Sequence, residues 1–320
     1  MDVSVVIVNW NTREDLRAAL QSCREHHDDL DIEVIVVDNG STDGSAAMVQ
    51  EDFPEAHLIA NDDNLGYTQA SNQGMRRGQG RHYLMLNSDA ELTPGCMSEL
   101  VRVLDEHDDI GTASAQLQYP DGSKQPTACH FPRLAAHLLP ALLTHKLEIV
   151  ETPDSAPDGI HEVDWVFGAC QMVRAETVDD IGLMDERIFM WYDDAEWCRR
   201  MAEAGWRRVV ALNATCIHKT RKSADLVPPL RLNVMMSMSE FEYFRIHEGR
   251  IKTAVLWTMR TFYSLCKSIV FGVGSIATLG QIHRIRDLWS LNWGRLVWHL
   301  RHADDIIIHE PEAYRGEDVE

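Results

Sequence analysis

The chain has 320 residues, 45% of them hydrophobic, enough for one sizeable core and a further packed unit. Its 30 basic against 50 acidic residues give a formal charge of −20, which excludes wrapping nucleic acid as its main task. Seven scattered cysteines, with no Cys-x-x-Cys spacing, exclude a disulfide framework and a structural zinc knot and fit a reducing cytosol.

The run from Val3 to Val8 has no basic segment before it and is shorter than a signal core, so it reads as a buried strand. Glu33 to Val37 repeats the pattern. Thr12 to Cys23 between them has helical spacing, and together they predict a β-α-β unit with parallel pairing. Thr12 is the expected N-cap of that helix, with Asp15 three residues on, and Asp43 is placed to open a helix over 44–51. Strands over 58–60 and 83–86, with a helix over 68–77 between them, complete an alternating α/β first half. Strands over 110–117 and 163–172 follow. A proline-interrupted stretch over 119–157 lies between them and predicts loops and a short helix. A helix over 193–204 ends at Gly205, a strand over 208–212 leads to His218, and beyond residue 223 strand signals stop.

The tail differs in charge. Arg231 to Arg301 holds ten Lys/Arg and four Asp/Glu, a local +6 against −26 for the rest, an asymmetry suited to anionic headgroups. Ile251, Val255, Met259, Phe262, Cys266 and Ile269 share one helical face, while Thr253, Arg260, Ser264 and Lys267 share another. The charges argue against a spanning helix. Two readings stand: a basic amphipathic helix in the membrane interface, or a helix packed on the protein's own core. Gly272-x-Gly274-x-x-Ala277 matches a dinucleotide pattern and raises an oxidoreductase reading. No β-α-β unit surrounds it, which leaves chance or close helix packing.

Polar residues gather where the strands end, the edge at which open α/β sheets bind ligands. Asn9-Trp10-Asn11, Asp38 to Asp43, Asn61 to Gly66 and Asn87-Ser88-Asp89 each follow a strand. Asn87 and Asp89, two apart, are expected on one face of a strand end, where a hard cation could be held together with a diphosphate. An Asx-turn is the plainer explanation of that triplet. Further on, Asp193, Asp194 and Glu196 crowd the first turn of a helix. The helix dipole accounts for one or two acids, and the adjacent Asp193 and Asp194 suggest a general base. Trp191 and Tyr192 beside them offer a platform for a sugar ring or are simply core. His218, followed by Lys219-Thr220-Arg221-Lys222, is either structural or a phosphate or metal contact.

Taken in order, Val5 to Asn11, Val36 to Gly44, Asn64 to Tyr67 with Asn72-Gln73-Gly74, Leu86 to Asp89, Phe167-Gly168-Ala169, Gly182 to Glu186 running to Arg200, and His218 resemble the family 2 glycosyltransferases. Within that family the likeness is to bacterial rhamnosyltransferase-like proteins. The resemblance covers residues 3–218 and implies a GT-A type α/β nucleotide-binding sandwich with a mainly parallel central sheet. Residues 1–115 would be its nucleotide-sugar-binding half and 116–222 its acceptor-binding half, with 223–320 a helical basic tail.

The resemblance also implies roles. Asp38 would contact the nucleobase, Asn9 and Asn11 would line its pocket, and Asn64, Gly66, Asn72 and Asn87 would border the nucleotide-sugar. Asp89 would be the metal-binding acid of the D-x-D motif, with Asn87 where its first Asp often stands, and His218 would join it on Mn²⁺ or Mg²⁺. Asp194, paired with Asp193, would be the base, and Trp191, Tyr192 and Gly168 would face the acceptor. The implied activity is inverting transfer of a sugar, rhamnose among the candidates, from a dTDP- or UDP-sugar to a saccharide or lipid-linked acceptor in cell-surface glycan synthesis. The expected place is the cytoplasm, peripheral on the inner face of the plasma membrane. A catalytically inactive membrane scaffold that binds sugar nucleotide or lipid is the rival from another class.

Overall fold

A computed structural model describes residues 1–137, 148–220, 226–278, 281–303 and 306. Four strands, β1 (Val3–Asn9), β2 (Ile32–Asn39), β3 (His57–Asn61) and β4 (His82–Leu86), lie in the order β3-β2-β1-β4, all paired in parallel. Helices α1 (Arg13–Glu25), α2 (Ser45–Asp52) and α3 (Tyr67–Arg77) make the crossovers, so all four strands end at one edge. Along β1, Val3, Val5 and Ile7 enter a core shared with Leu16 of α1 and Met48 of α2. Val6 points the other way, toward Met75 of α3 and the fully buried Trp197. Helices cover both faces, which is why the strand is apolar at nearly every position.

The sheet continues through β11 (Cys170–Arg174), β6 (Ile110–Gln118), β12 (Arg207–His218) and β5 (Ala90–Leu92), with β9 (Ile160–Glu162) against β12. Among the described residues, nine strands thus form one mixed sheet whose first half is the expected parallel one. A small antiparallel sheet, β10-β7-β8, joins Trp165–Val166, Ala128–Cys129 and Ile149–Val150. Among the described residues the remaining helices are α4 (Cys96–Glu106), α5 (Leu134–His137), α6 (Ala175–Ile181), α7 (Asp193–Glu203), α8 (Pro229–His247), α9 (Gly249–Ala277) and α10 (His283–Arg301).

Several expectations are corrected. Thr12 sits at the N-cap position of α1, but its hydroxyl serves Asn9 and Ser88 instead. Asp43 caps in its place: Oδ2 accepts from the Arg13 amide at 2.9 Å and Oδ1 from the Ser45 amide at 3.0 Å, so one carboxylate steadies the first turns of both α1 and α2. The single strand expected over 163–172 is broken into β10 and β11 by a turn at Phe167-Gly168-Ala169. Gly272 and Gly274 lie inside α9, where added Cβ atoms would meet Trp289 and Ile285 of α10. They are close-packing positions, and no strand-turn-helix supports the dinucleotide pattern.

The long helix of the tail packs on the protein by one side and leaves the other outside. Thr253, Leu256, Ser264 and Ser268 of α9 are buried, and Arg260 is ion-paired with Glu240 of α8. On the opposite side Ile251, Val255, Met259, Phe262 and Ile269 are exposed. A mostly polar face, with Leu256 in its middle, packs on the protein and the apolar stripe is outside. No helix of the described residues is long and apolar enough to cross a membrane.

Candidate active site

The ends of β1 and β2 are tied side by side. Asn9 Nδ2 donates to Asp38 Oδ2 at 2.9 Å and to Ser41 Oγ at 3.1 Å, and the Ser41 amide donates to Asp38 Oδ1 at 3.0 Å. Asn11, with a positive φ of 54°, receives the Thr42 amide on its Oδ1 at 2.7 Å. Asn39 staples the next loop: it donates to Asn64 Oδ1 at 2.9 Å and accepts from the Leu65 amide at 3.1 Å. Gly66 needs its φ of +89°, because a Cβ there would lie 2.6 Å from the Phe189 ring. Asn72 is buried. Its Oδ1 accepts from the Met184 amide at 3.0 Å and its Nδ2 donates to Met184 O at 2.9 Å, so it clamps the 184–186 segment onto α3.

Asn87-Ser88-Asp89 is a turn, not the strand end the spacing suggested: β4 stops at Leu86, and the Ala90 amide returns to Asn87 O at 3.0 Å. Period-2 alternation therefore does not govern Asn87 and Asp89. The turn is anchored to the start of α1 by the 2.8 Å contact of Ser88 Oγ with Thr12 Oγ1. His218 ends β12 opposite Ala90, and its Nε2 lies 3.3 Å from Asp89 Oδ1 while its buried Nδ1 has no hydrogen-bond partner among the described residues. Adjacent ligands of an octahedral ion with bonds of about 2.1 Å stand about 3 Å apart, so this carboxylate and imidazole fit two neighbouring positions. Among the described residues no cluster of three or more His, Cys, Asp or Glu could hold a metal, so diphosphate and water would have to supply the rest of the shell. Lys219 is engaged with Asp15 at 3.0 Å and Glu91 at 2.8 Å, and Arg221 and Lys222 lie outside the described residues.

Asp193 and Asp194 open α7. Trp191 and Tyr192 before them both adopt positive φ, 63° and 61°, a conformation that L side chains resist by about 1–2 kcal/mol each. Packing holds it: the Tyr192 ring lies 5.7 Å from Tyr243 of α8, its hydroxyl meets His137 Nε2 at 3.3 Å, and His137 in turn faces Glu240 at 3.4 Å. Tyr192 is half-buried and packs against the core cluster that includes Tyr243 and Phe244, and the tail helix α8 is a buttress of this turn. Trp191 is likewise partly exposed.

Asp194 Oδ2 accepts from the Gly168 amide at 2.9 Å, while its Oδ1 is buried with no partner among the described residues. A Cβ on Gly168 would stand 2.3 Å from that Oδ1, so only glycine lets the backbone approach. Burial pushes the Asp194 carboxyl up to about 6 against the lowering pull of the Gly168 hydrogen bond. Burial and the neighbouring Asp194 charge raise Asp193 as well, so the two adjacent carboxyls together hold on to a proton more tightly than free ones.

The two clusters meet. The amide of Asn87 donates to Ala169 O at 3.0 Å, one residue beyond the amide that holds Asp194. The Tyr67 hydroxyl, raised well above the usual phenol range by burial, also feels Asp194, Asp193 and Asp89. In the sequence Tyr67 stands out only as the end of the Asn64–Tyr67 stretch. An aromatic directly after a glycine that opens a helix is a signal that could have singled it out, whereas His137 carried none.

Residues 4–162 match the family model "Glycosyl transferase family 2". The chain is 26% identical over 251 residues, 72% of its length and 80% of the relative's, to an N-acetylglucosaminyl-diphospho-decaprenol L-rhamnosyltransferase of Mycobacterium tuberculosis. In fold it resembles GalNAc-T7 with UDP, GalNAc and Mn²⁺, at TM-score 0.59 and 15% identity, covering 97% of this chain and 57% of that one. It also resembles the mannosyltransferase PcManGT of Pyrobaculum calidifontis, in complex with GDP-Man and Mn²⁺, at TM-score 0.50 and 14% identity, over 94% and 86% of the two chains.

Proposed function

From the premise that the chain is a family 2 glycosyltransferase of the GT-A fold, we propose that it transfers a sugar, with inversion, from a dTDP- or UDP-sugar to a saccharide or lipid-linked acceptor in cell-surface glycan synthesis. The observation that carries this reading is the shared turn at Gly168-Ala169, which holds Asp194 by one backbone group and the Asn87–Asp89 turn by the next. In this account residues 1–115 hold the donor, 116–222 present the acceptor, and the tail sits at the inner face of the plasma membrane. The relative named for a decaprenol-linked substrate supports a lipid-linked acceptor.

Asp38, Asn9 and Asn11 form the base-binding edge, and Asn64, Gly66 and Asn87 border the sugar nucleotide, with Asn72 positioning the wall behind them. Asp194 Oδ1 takes the proton of the acceptor hydroxyl as its oxygen bonds to the anomeric carbon. The bond from that carbon to the diphosphate breaks, and the diphosphate leaves with the electron pair. Asp89 and His218 would hold Mn²⁺ or Mg²⁺, which when bound neutralises charge developing on the leaving diphosphate. Asp193 beside it disfavours a second charge in the same buried turn, so the pair carries one negative charge when Asp194 acts as base. Trp191 and the Gly168 turn flank the acceptor.

The test is release of nucleoside diphosphate from a panel of dTDP- and UDP-sugars with Mn²⁺, with and without a lipid-linked saccharide acceptor. The reading expects acceptor-dependent release from one donor. Donor binding with no release under any acceptor would favour the inactive scaffold instead.

A further inference from the structure

Helix α9 is amphipathic with its sides reversed relative to a helix that completes a core. Its inward face carries one buried apolar side chain, Leu256, among Thr253, Ser264, Ser268 and the Glu240-paired Arg260. The diametrically opposite stripe leaves Ile251 83%, Phe262 59%, Ile269 57% and Ile276 77% exposed, four large apolar side chains on one line of the helix. Trp289 of α10 lies over Gly272, whose helical neighbours three back and four on are Ile269 and Ile276, so the patch continues onto the second helix. A continuous exposed apolar surface of this kind marks a partner.

Charge identifies the partner. In a chain of net −20, α9 contains no Asp or Glu and α10 contains only Asp287, against eight Lys/Arg in the two helices together. Arg250 and Lys252 lie on either flank of the apolar stripe. A second copy docked by two-fold symmetry would set these basic flanks against themselves. An anionic bilayer meets both requirements, with acyl chains for the stripe and headgroup charge for the flanks, and the acidic body is repelled outward. We propose that the α9 stripe, extended by Trp289, is a membrane-docking surface on which the enzyme lies with α9 in the plane of an anionic lipid leaflet. The proposal rests on the membrane-side reading above and adds the surface, its orientation and the lipid charge it needs.

Flotation of the full-length protein with vesicles of phosphatidylcholine and phosphatidylglycerol, against phosphatidylcholine alone, tests it. The wild type is expected to float with the anionic vesicles and to be released by salt. Phe262→Glu with Ile269→Glu, two exposed positions, should reduce binding about tenfold or more while leaving transfer to a water-soluble acceptor unchanged. Undiminished flotation of that variant would overturn the proposal, as would a wild type that stays at the bottom of the gradient. A wild-type dimer that the same substitutions dissolve, without vesicle binding, would overturn it in favour of a second copy. Flotation as expected, with no transfer to any lipid-linked acceptor, would support the docking surface and sink the acceptor reading instead.

Discussion

Asp194 and Asn87 are held by consecutive residues of one turn: the Gly168 amide donates to Asp194 Oδ2 at 2.9 Å, and Ala169 O accepts from the Asn87 amide at 3.0 Å. Residues 107 positions apart in the chain are thereby fixed within a few bonds of each other. The acid that would take the acceptor proton and the turn that would hold the departing diphosphate cannot move independently.

That coupling makes Gly168 more sensitive than its size suggests. Gly168→Ala places a Cβ 2.3 Å from Asp194 Oδ1 and must push the carboxylate off its hydrogen bond. A misplacement of this order should lower kcat about 100-fold while the donor KM changes little. Steady-state kinetics check it, and an unchanged kcat would show that the turn tolerates the methyl.

The pH dependence follows from the Asp194 carboxyl, which burial holds up at about 6. As a base it works only when ionised, so kcat should climb as pH rises through that value. Stability runs the other way. The folded chain binds this proton more tightly than the unfolded chain, so the contribution is fully present below the ordinary carboxylate range and is lost as pH rises through about 6. Asp194→Asn should therefore melt at a higher temperature than the wild type at neutral pH, with the difference shrinking in acid. Thermal unfolding across pH measures this, and a pH-independent difference would contradict it.

Donor binding should depend on Asp89 and His218 through the metal. Asp89→Ala is expected to remove the Mn²⁺-dependent part of nucleoside diphosphate binding, and His218→Ala to weaken it less, since water can replace one ligand. Titration calorimetry with and without Mn²⁺ distinguishes them, and identical heats for Asp89→Ala and the wild type would count against the assignment.

Much of the fold was legible because it is local. The β-branched run at Val3, the helical spacing after Thr12 and the polar residues at each strand end lie within short windows, and the parallel half of the sheet follows from them. What the sequence hid are choices made by distant partners. Thr12 has the chemistry of an N-cap, yet Asn9 and Ser88 claim its hydroxyl and Asp43, 30 residues from Arg13, does the capping. The turn at 167–169 looked like strand because Val163 to Met172 is apolar apart from Asp164 and Gln171; its reason is the carboxylate of Asp194, which accepts from the Gly168 amide. The strain at Trp191 and Tyr192 depends on Tyr243 and on His137, and no pattern near residue 191 announces either.

The most direct test is Asp194→Asn assayed twice, for sugar transfer and for nucleoside diphosphate binding by calorimetry. The amide keeps an oxygen for the Gly168 hydrogen bond but cannot take a proton, so transfer should fall by about 10²–10⁴-fold with binding heat nearly intact. Transfer at the wild-type rate would mean that the acceptor proton leaves by another route and that the base has been misassigned.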